Sequence, residues 1–421
     1  MRVEHLVESK SSLIQLESGE VDLLRSLGRQ LASSRGWWGS QEASADLISE
    51  RSIVRVEAVG AMRFLVTVPN MVGVIRLPSV QLHVVPKIPL EHFVHLLGRC
   101  ELAPRSSSAQ VALQSSSALF EVLGRWCLDE TERLLRGGLR PDYQSFLEEQ
   151  SAVRGHLVPC DTMLENLKGR PVAVCAFDEL SEDAPLNRVL LGACQRLAQM
   201  DMLTKATRTR ARAVVYRMTG IGPIQPGDDR AEVDRLAVRY AQAIPLARLI
   251  LAGSGISLAC GNCVGTAFLI RTPELIESGL RAVVAAALEG VSVAPGRLML
   301  AGTHLSMNPD FVIDGGRAVG DIKYKFMESH WHRGDLYQSI AFATSYRARQ
   351  SLVVGFSSEP SGRLPLSVRA GSVSTSALAW LAGSTVSPAA SEARLRSELR
   401  SWYDLALSNV PGDSIALADP W

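Results

Sequence analysis

The tightest constraint on this chain lies in twenty residues, MNPDFVIDGGRAVGDIKYKF, from Met307 to Phe326. Adjacent glycines, Gly315 and Gly316, supply the positive φ angles of a tight hairpin turn, and strand formers flank them on both sides. Counting outward from a two-residue Gly-Gly loop, Asp314 faces Arg317, Val312 faces Val319, and Asp310 faces Asp321. Like charges directly opposite each other on neighbouring strands are destabilising. At about 5 Å, with an effective dielectric near 20, that repulsion is roughly 3 kcal/mol. A fold that keeps such a pair needs a use for it.

Strand periodicity indicates one. Asp321 and Lys323 lie two apart and share a face with Asp310, while Ile322 points to the other side. Two carboxylates and an ammonium thus gather at the hairpin's open end. A hard divalent cation such as Mg²⁺ takes carboxylate oxygens and keeps its remaining positions for water and phosphate oxygens. Lys323 can then orient or deprotonate an attacking water, or neutralise charge developing on a phosphate. The plainer alternative is a solvent-facing hairpin with Lys323 paired to one aspartate, which leaves the opposed acids unexplained. A third acid is expected from the helical segment TPELIESGLRAV, where Glu277 is preferred because it follows the apolar pair Leu275 and Ile276. Glu274, near the helix start, reads as a favourable dipole charge.

The texture of the chain suggests an α+β multidomain protein. Residues 1–105 form a β-rich N-terminal domain: after an early helix, GEVDLLRSLGRQLAS, the runs SIVRVEAV, MRFLVTVP, MVGVIRLP and VQLHVVPKI suggest a small barrel or sandwich. A serine-rich stretch, APRSSSAQVALQSSSA, reads as a linker. Residues 106–262 form a mainly helical middle region, interrupted by the strand-like VRGHLVP and PVAVCAFDEL. There Ser181 to Asp183 are placed to cap a helix whose first turn holds Pro185, so Glu179, Glu182 and Asp183 read as capping and dipole charges rather than functional acids. Residues 263–421 form a C-terminal α/β domain in the order helix, three strands (GRLMLAG and the hairpin), helix, strand.

A length of 421 residues suits two or three domains, and 47% apolar with 21% charged residues is ordinary for a globular protein. A net charge of +1 gives no global attraction to nucleic acid, so DNA contact would need local patches. One such patch is TKATRTRARAVVYR, with Lys205, Arg208, Arg210, Arg212 and Arg217, although runs of this kind are also common as solvated helix faces. The start, MRVEHLVESKSS, lacks a signal pattern and no apolar run is long enough to span a bilayer, so a cytoplasmic chain with no membrane partner is expected. Seven cysteines make no disulfide framework. Cys260 and Cys263 in CGNC have metal-ligand spacing but no second pair to complete four ligands, which favours ordinary reduced thiols. His330 and His332 are placed on a loop beside the cleft.

NPDFVI, VGDIKYK and DLYQSIAF together resemble the PD-(D/E)xK nuclease signature, in the version found in the McrC family, the nuclease subunits of McrBC-type modification-dependent (type IV) restriction systems. Four further segments resemble that family in the same order: VGVIRLPSVQLHVVPKIP, VRGHL, FDELSEDAPLNRVLLGA and FLIRTPELIESGL. The resemblance implies a C-terminal PD-(D/E)xK nuclease domain with Asp310, Asp321, Lys323, Glu277 and Gln338 as catalytic residues. It implies Mg²⁺, with Mn²⁺ as a substitute, held by Asp310, Asp321 and Glu277. Gln338 matches the glutamine of a Gln-x-x-x-Tyr motif whose tyrosine is here Phe342, with Tyr337 and Tyr346 as neighbouring hydroxyls. Thr272 and Ile276 also depart from the family pattern, in what reads as packing. Lys325, Tyr337, Arg208, Arg210 and Arg212 are candidate DNA contacts.

The function implied is an Mg²⁺-dependent DNA endonuclease subunit that docks on an McrB-like AAA+ GTPase hexamer through its β-rich first segment, including Lys87, and stimulates it. Methylcytosine recognition and translocation would belong to that partner. The chain agrees in having no G-x-x-x-x-G-K-[ST] phosphate loop of its own. Two copies would be needed for a double-strand break. The alternatives are an inactive adaptor that only activates the ring, and a PD-(D/E)xK nuclease of another repair or defence complex.

Overall fold

The computed structural model describes residues 1–33, 54–100, 116–260, 263–359 and 362–408. Val- and Ile-rich runs near the start build a five-stranded sheet in the order Arg2–Val7, Val80–Val85, Met71–Arg76, Cys263–Arg271, Ser254–Cys260. The first two strands are parallel and the other neighbours antiparallel. A second, antiparallel sheet of Ser12–Gln15, Arg63–Thr67 and Arg55–Gly60 shares a core with it and with the helix Ser18–Ser33, through Leu6, Leu24, Leu27, Val66, Ile75, Leu82 and Leu269.

The strand Cys263–Arg271 corrects the division drawn from sequence, which put it in the last domain. Its backbone pairs with Met71–Arg76, and Gly73 permits the approach: a Cβ there would lie 2.0 Å from the Phe268 carbonyl oxygen. An apolar run such as AFLI declares itself a strand without declaring which sheet edge it completes. The first and last units are further joined where the helix Leu90–Arg99 packs on the helix Pro273–Ala287. One buried cluster runs through all three sequence regions, including Phe93, Leu96, Trp126, Leu190, Leu246, Ile276, Ile322, Trp380 and Leu399.

In the middle region the helices Ser116–Arg136, Pro185–Gln199, Lys205–Arg217 and Ala243–Gly253 pack together, beside a three-stranded sheet of Asp142–Gln150, Ala173–Ser181 and His156–Leu157. Around that sheet Tyr143, Leu147, Met163, Leu164 and Leu167 are exposed. The capping expected ahead of Pro185 is absent: the N-cap is Ala184 and no side chain bonds the helix start. Asp183 instead accepts from the Gly222 amide at 3.0 Å and meets Arg188 at 3.2 Å. Arg188 extends the network to a buried, two-pronged pair with Asp228, at 2.8 and 2.9 Å.

The C-terminal sheet has the order Val293–Ala294, Phe311–Ile313, Ala318–Phe326, Gln350–Ser357, Val373–Leu381, Val368–Ala370. Ala318–Phe326, Gln350–Ser357 and Val373–Leu381 run parallel, the first pair linked by the helix Arg333–Ser345. GRLMLAG does not join this sheet: Leu298–Met299 pairs with Ser306–Met307 in a ladder of its own. Ile322 and Tyr324 enter the large core, whereas Val319 packs on the other face with Phe342 and Ala343 of the helix Arg333–Ser345. Among the described residues no helix is long and apolar enough to cross a membrane.

Candidate active site

The hairpin holds the pairing counted from sequence, with Val312 opposite Val319, and flanking pairs Phe311–Gly320 and Ile313–Ala318. Its loop is wider than two residues. Asp314, Gly315 and Gly316 all take positive φ (50°, 66° and 117°), and Asp314 closes the turn on Arg317 at 3.0 Å. Gly320 is required by packing: a Cβ there would stand 2.0 Å from the Phe311 ring. The ladder stops at that pair. Beyond it the Asp310 carboxylate accepts from the Ile322 amide at 2.5 Å, taking the place of a backbone partner.

Asp321 and Lys323 share a face as alternation requires. Asp321 is 4% exposed, and the Lys323 ammonium lies 2.5 Å from its Oδ2, an oxygen that is buried without an aligned hydrogen bond. Lys323 Nζ donates instead to Gln338 Oε1 at 2.7 Å, so the helix Arg333–Ser345 holds the lysine from above. Glu277 comes from the helix Pro273–Ala287, near enough for its charge to act on Asp310 and to feel Asp321 and Lys323.

The electrostatics of the cluster are those of crowded acids. Burial, then the charges of Glu277 and Asp321, push Asp310 up to about 8. Burial, then Glu274 and Asp321, push Glu277 up to about 7, against the opposing pull of Lys323 and Arg281. Burial first, and the neighbouring carboxylates second, thus favour the protonated forms of both acids. Glu274 pairs with Arg271 at 3.2 Å while its Oε2 is buried without a hydrogen-bond partner. Among the described residues no three His, Cys, Asp or Glu side chains stand together at metal-holding distance. The donor chemistry, hard carboxylate oxygens of which the buried Asp321 Oδ2 has no hydrogen bond, is of the kind that small divalent cations take.

Asp310, Asp321, Lys323, Glu277 and Gln338 are thus brought together from segments separated in sequence. The remaining candidates fare differently. Lys325 is paired with Asp335, and Tyr337 is exposed on the same helix as Gln338. Arg210 is bound by Glu132 at 2.7 Å and Asp129 at 2.6 Å, and Arg208 by Asp201 at 3.3 Å. Those two arginines tie the helix Lys205–Arg217 to its neighbours; Arg212 is exposed. Phe342 is buried in the packing of its helix, and the Tyr346 hydroxyl is buried without a partner. His330 meets Glu328 at 2.8 Å, on an exposed loop. The side chains of Cys260 and Cys263, and most of the serine-rich stretch, lie outside the described residues.

One reading changes: Thr272 is no packing substitution, because it is buried and donates to Glu8 at 2.5 Å. The Lys87 ammonium lies over the Tyr324 ring, 4.1 Å from the centroid. Sequence reasoning also passed over Arg281, which donates to the Asp310 carbonyl at 3.0 Å. Its signal was present, as Arg281 follows Glu277 by one helical turn.

Fold and cluster define a mixed α+β protein whose C-terminal sheet presents a buried acid–lysine group at the end of a hairpin. The family described as McrBC 5-methylcytosine restriction system component matches residues 66–354, and the chain belongs to that family. Among solved structures it is similar to a chain of the refined half-complex from the tetradecameric assembly of Thermococcus gammatolerans McrB AAA+ hexamers with bound McrC. That likeness has 18% identity and a TM-score of 0.59, covering 95% of this chain and 99% of that one. At this identity the fold is what is shared. A chain of the cryo-EM structure of the T. gammatolerans McrBC complex aligns with 18% identity and a TM-score of 0.43, over 68% of this chain and 88% of that one. No curated protein matches the sequence.

Proposed function

We propose that this chain is the McrC-type nuclease subunit of a modification-dependent restriction complex, with a PD-(D/E)xK active site that hydrolyses DNA phosphodiesters using Mg²⁺. The observation that carries the reading is the convergence of Asp310, Asp321, Glu277, Lys323 and Gln338 at one hairpin end, inside a chain of the McrBC family.

Asp310, Asp321 and Glu277 would hold the ion; when bound, it polarises the phosphate and lowers the pKa of a water. The chain's own residues do the rest. Lys323, steadied by Gln338, moves from Asp321 to the phosphate oxygens or the attacking water, where its charge offsets negative charge developing in the transition state. The Asp310 bond to the Ile322 amide keeps its carboxylate at the strand end, close against Asp321. The partner is a McrB-like AAA+ GTPase hexamer, as in the assembly sharing this fold. The exposed apolar side chains Tyr143, Leu147, Met163, Leu164 and Leu167, on the strand Asp142–Gln150 and the helix Pro159–Leu167, are a further candidate docking surface, because grouped exposed apolar side chains mark interaction sites.

The test is cleavage of methylated and unmethylated plasmid by the purified chain with its AAA+ partner, GTP and Mg²⁺. Wild type cuts only the methylated substrate, and Asp321→Ala abolishes cutting while partner GTPase stimulation remains. Unchanged cleavage in the Asp321→Ala protein would remove the active-site assignment. A second reading, a non-catalytic activator, draws on the close Lys323–Asp321 pair, and wild type that stimulates the partner GTPase without cutting DNA would favour it.

A further inference from the structure

One carboxylate from the N-terminal unit ties together both elements that carry the acid cluster. Glu8 follows the strand Arg2–Val7 and is fully buried. Its Oε2 accepts from Thr272 Oγ1 at 2.5 Å, and its Oε1 accepts the Tyr324 hydroxyl and, at 3.1 Å, the Lys87 amide. Thr272 is the N-cap residue of the helix carrying Glu277. Tyr324 is the neighbour of Lys323 on the Asp321 strand, its side chain turned to the opposite face. The Lys87 ammonium over the Tyr324 ring completes a four-residue junction, of which Glu8, Thr272 and Tyr324 are buried. Buried polar groups held by several bonds are costly to rearrange, so the junction leaves the helix and the strand one relative position.

We infer that Glu8 is a positioning residue for the nuclease cluster: by bonding Thr272 and Tyr324 at once, it sets the spacing between the Glu277 helix and the Asp321–Lys323 strand. The inference deepens the nuclease reading and rests on it. It makes the N-terminal unit part of the site's geometry as well as its neighbour, and it gives the Pro-Lys segment at Lys87 an internal role.

The experiment uses the full-length chain, with Glu8→Gln, Tyr324→Phe and the double variant, and Leu24→Ala as a comparably destabilised control in the N-terminal core. Mn²⁺ binding is followed by electron paramagnetic resonance, and hydrogen exchange of the metal-free protein by mass spectrometry. Glu8→Gln and Tyr324→Phe are each expected to weaken Mn²⁺ binding about tenfold, the usual effect of removing a group that orients metal ligands. The double variant should be no weaker than the worse single one. Exchange should rise in the peptides covering both 273–280 and 321–326. Leu24→Ala should lower the melting temperature and leave Mn²⁺ affinity unchanged. Variants that melt earlier yet bind Mn²⁺ as wild type does would reduce Glu8 to a purely structural residue and overturn the inference. If wild type binds no Mn²⁺ the nuclease reading fails by itself, and exchange that rises in both peptides or in neither then decides the junction.

Discussion

The Asp310 carboxylate accepts the amide of Ile322 at 2.5 Å, across the open end of a hairpin whose ladder has ended at Phe311 and Gly320. An acid thereby does the work of a missing strand residue, and is fixed beside Asp321 in the process. The opposition of like charges counted from the sequence is present, and it is bound into the backbone.

Asp310→Asn tests whether charge or shape matters there. Asparagine keeps an oxygen for the Ile322 amide and resembles the protonated acid, so the melting temperature should hold near neutral pH and rise above pH 8, where the wild-type carboxylate is charged beside Asp321 and Glu277. Cleavage should fall by at least about 100-fold, the scale of losing one preorganised electrostatic contact. A folded variant that cuts at the wild-type rate would show that the charge is not used.

Gln338 holds the lysine at 2.7 Å. Gln338→Ala should lower the cleavage rate roughly tenfold with little change in the DNA concentration needed for half-saturation, because an interaction made chiefly in the transition state affects turnover more than binding. Single-turnover kinetics on a short duplex would read this directly.

The pH dependence follows from the raised acids. Asp310 titrates at about 8 and Glu277 at about 7 in the folded chain, chiefly because both are buried. In the unfolded chain both titrate near 4. Their protonated forms favour the folded state, so this contribution is complete below about pH 4 and is lost as pH rises through 7 and 8. Metal-free protein should therefore melt at a lower temperature at pH 8.5 than at pH 6. Added Mg²⁺ should raise the melting temperature more at the higher pH, where protons no longer compete. Scanning calorimetry at both pH values, with and without Mg²⁺, checks the sign.

Arg188 and Asp228, with side chains only 6% and 5% exposed, form the buried pair under the helix Pro185–Gln199. Removing one member leaves a buried charge uncompensated, so Arg188→Ala should cost about 3–5 kcal/mol in urea unfolding. A loss below about 1 kcal/mol would mean that water reaches the pair freely.

Much of the site was legible because it is local. The Gly-Gly turn between strand formers sets which residues oppose each other, and alternation sets which share a face, so Asp310, Asp321 and Lys323 follow from counting. Glu277 and Gln338 came from helix position and family resemblance, and the structure brings both to the hairpin's end. Other contacts were not legible where the partner lay far along the chain. The ion pairs of Arg210 with Asp129 and Glu132 join two helices that the sequence does not pair. Asp183 read as a cap until the amide of Gly222 claimed it.

Periodicity and turn chemistry therefore determined many of the elements and the hairpin's register, since both depend on residues a few positions apart. Tertiary structure alone decided that Cys263–Arg271 completes the first sheet, and that Glu8, Lys87, Thr272 and Tyr324 meet at one buried point. The physical reason is that edge pairing and buried hydrogen bonds between remote segments are chosen by the packing of the whole core. A strand's pattern records that it has a partner, and not which one.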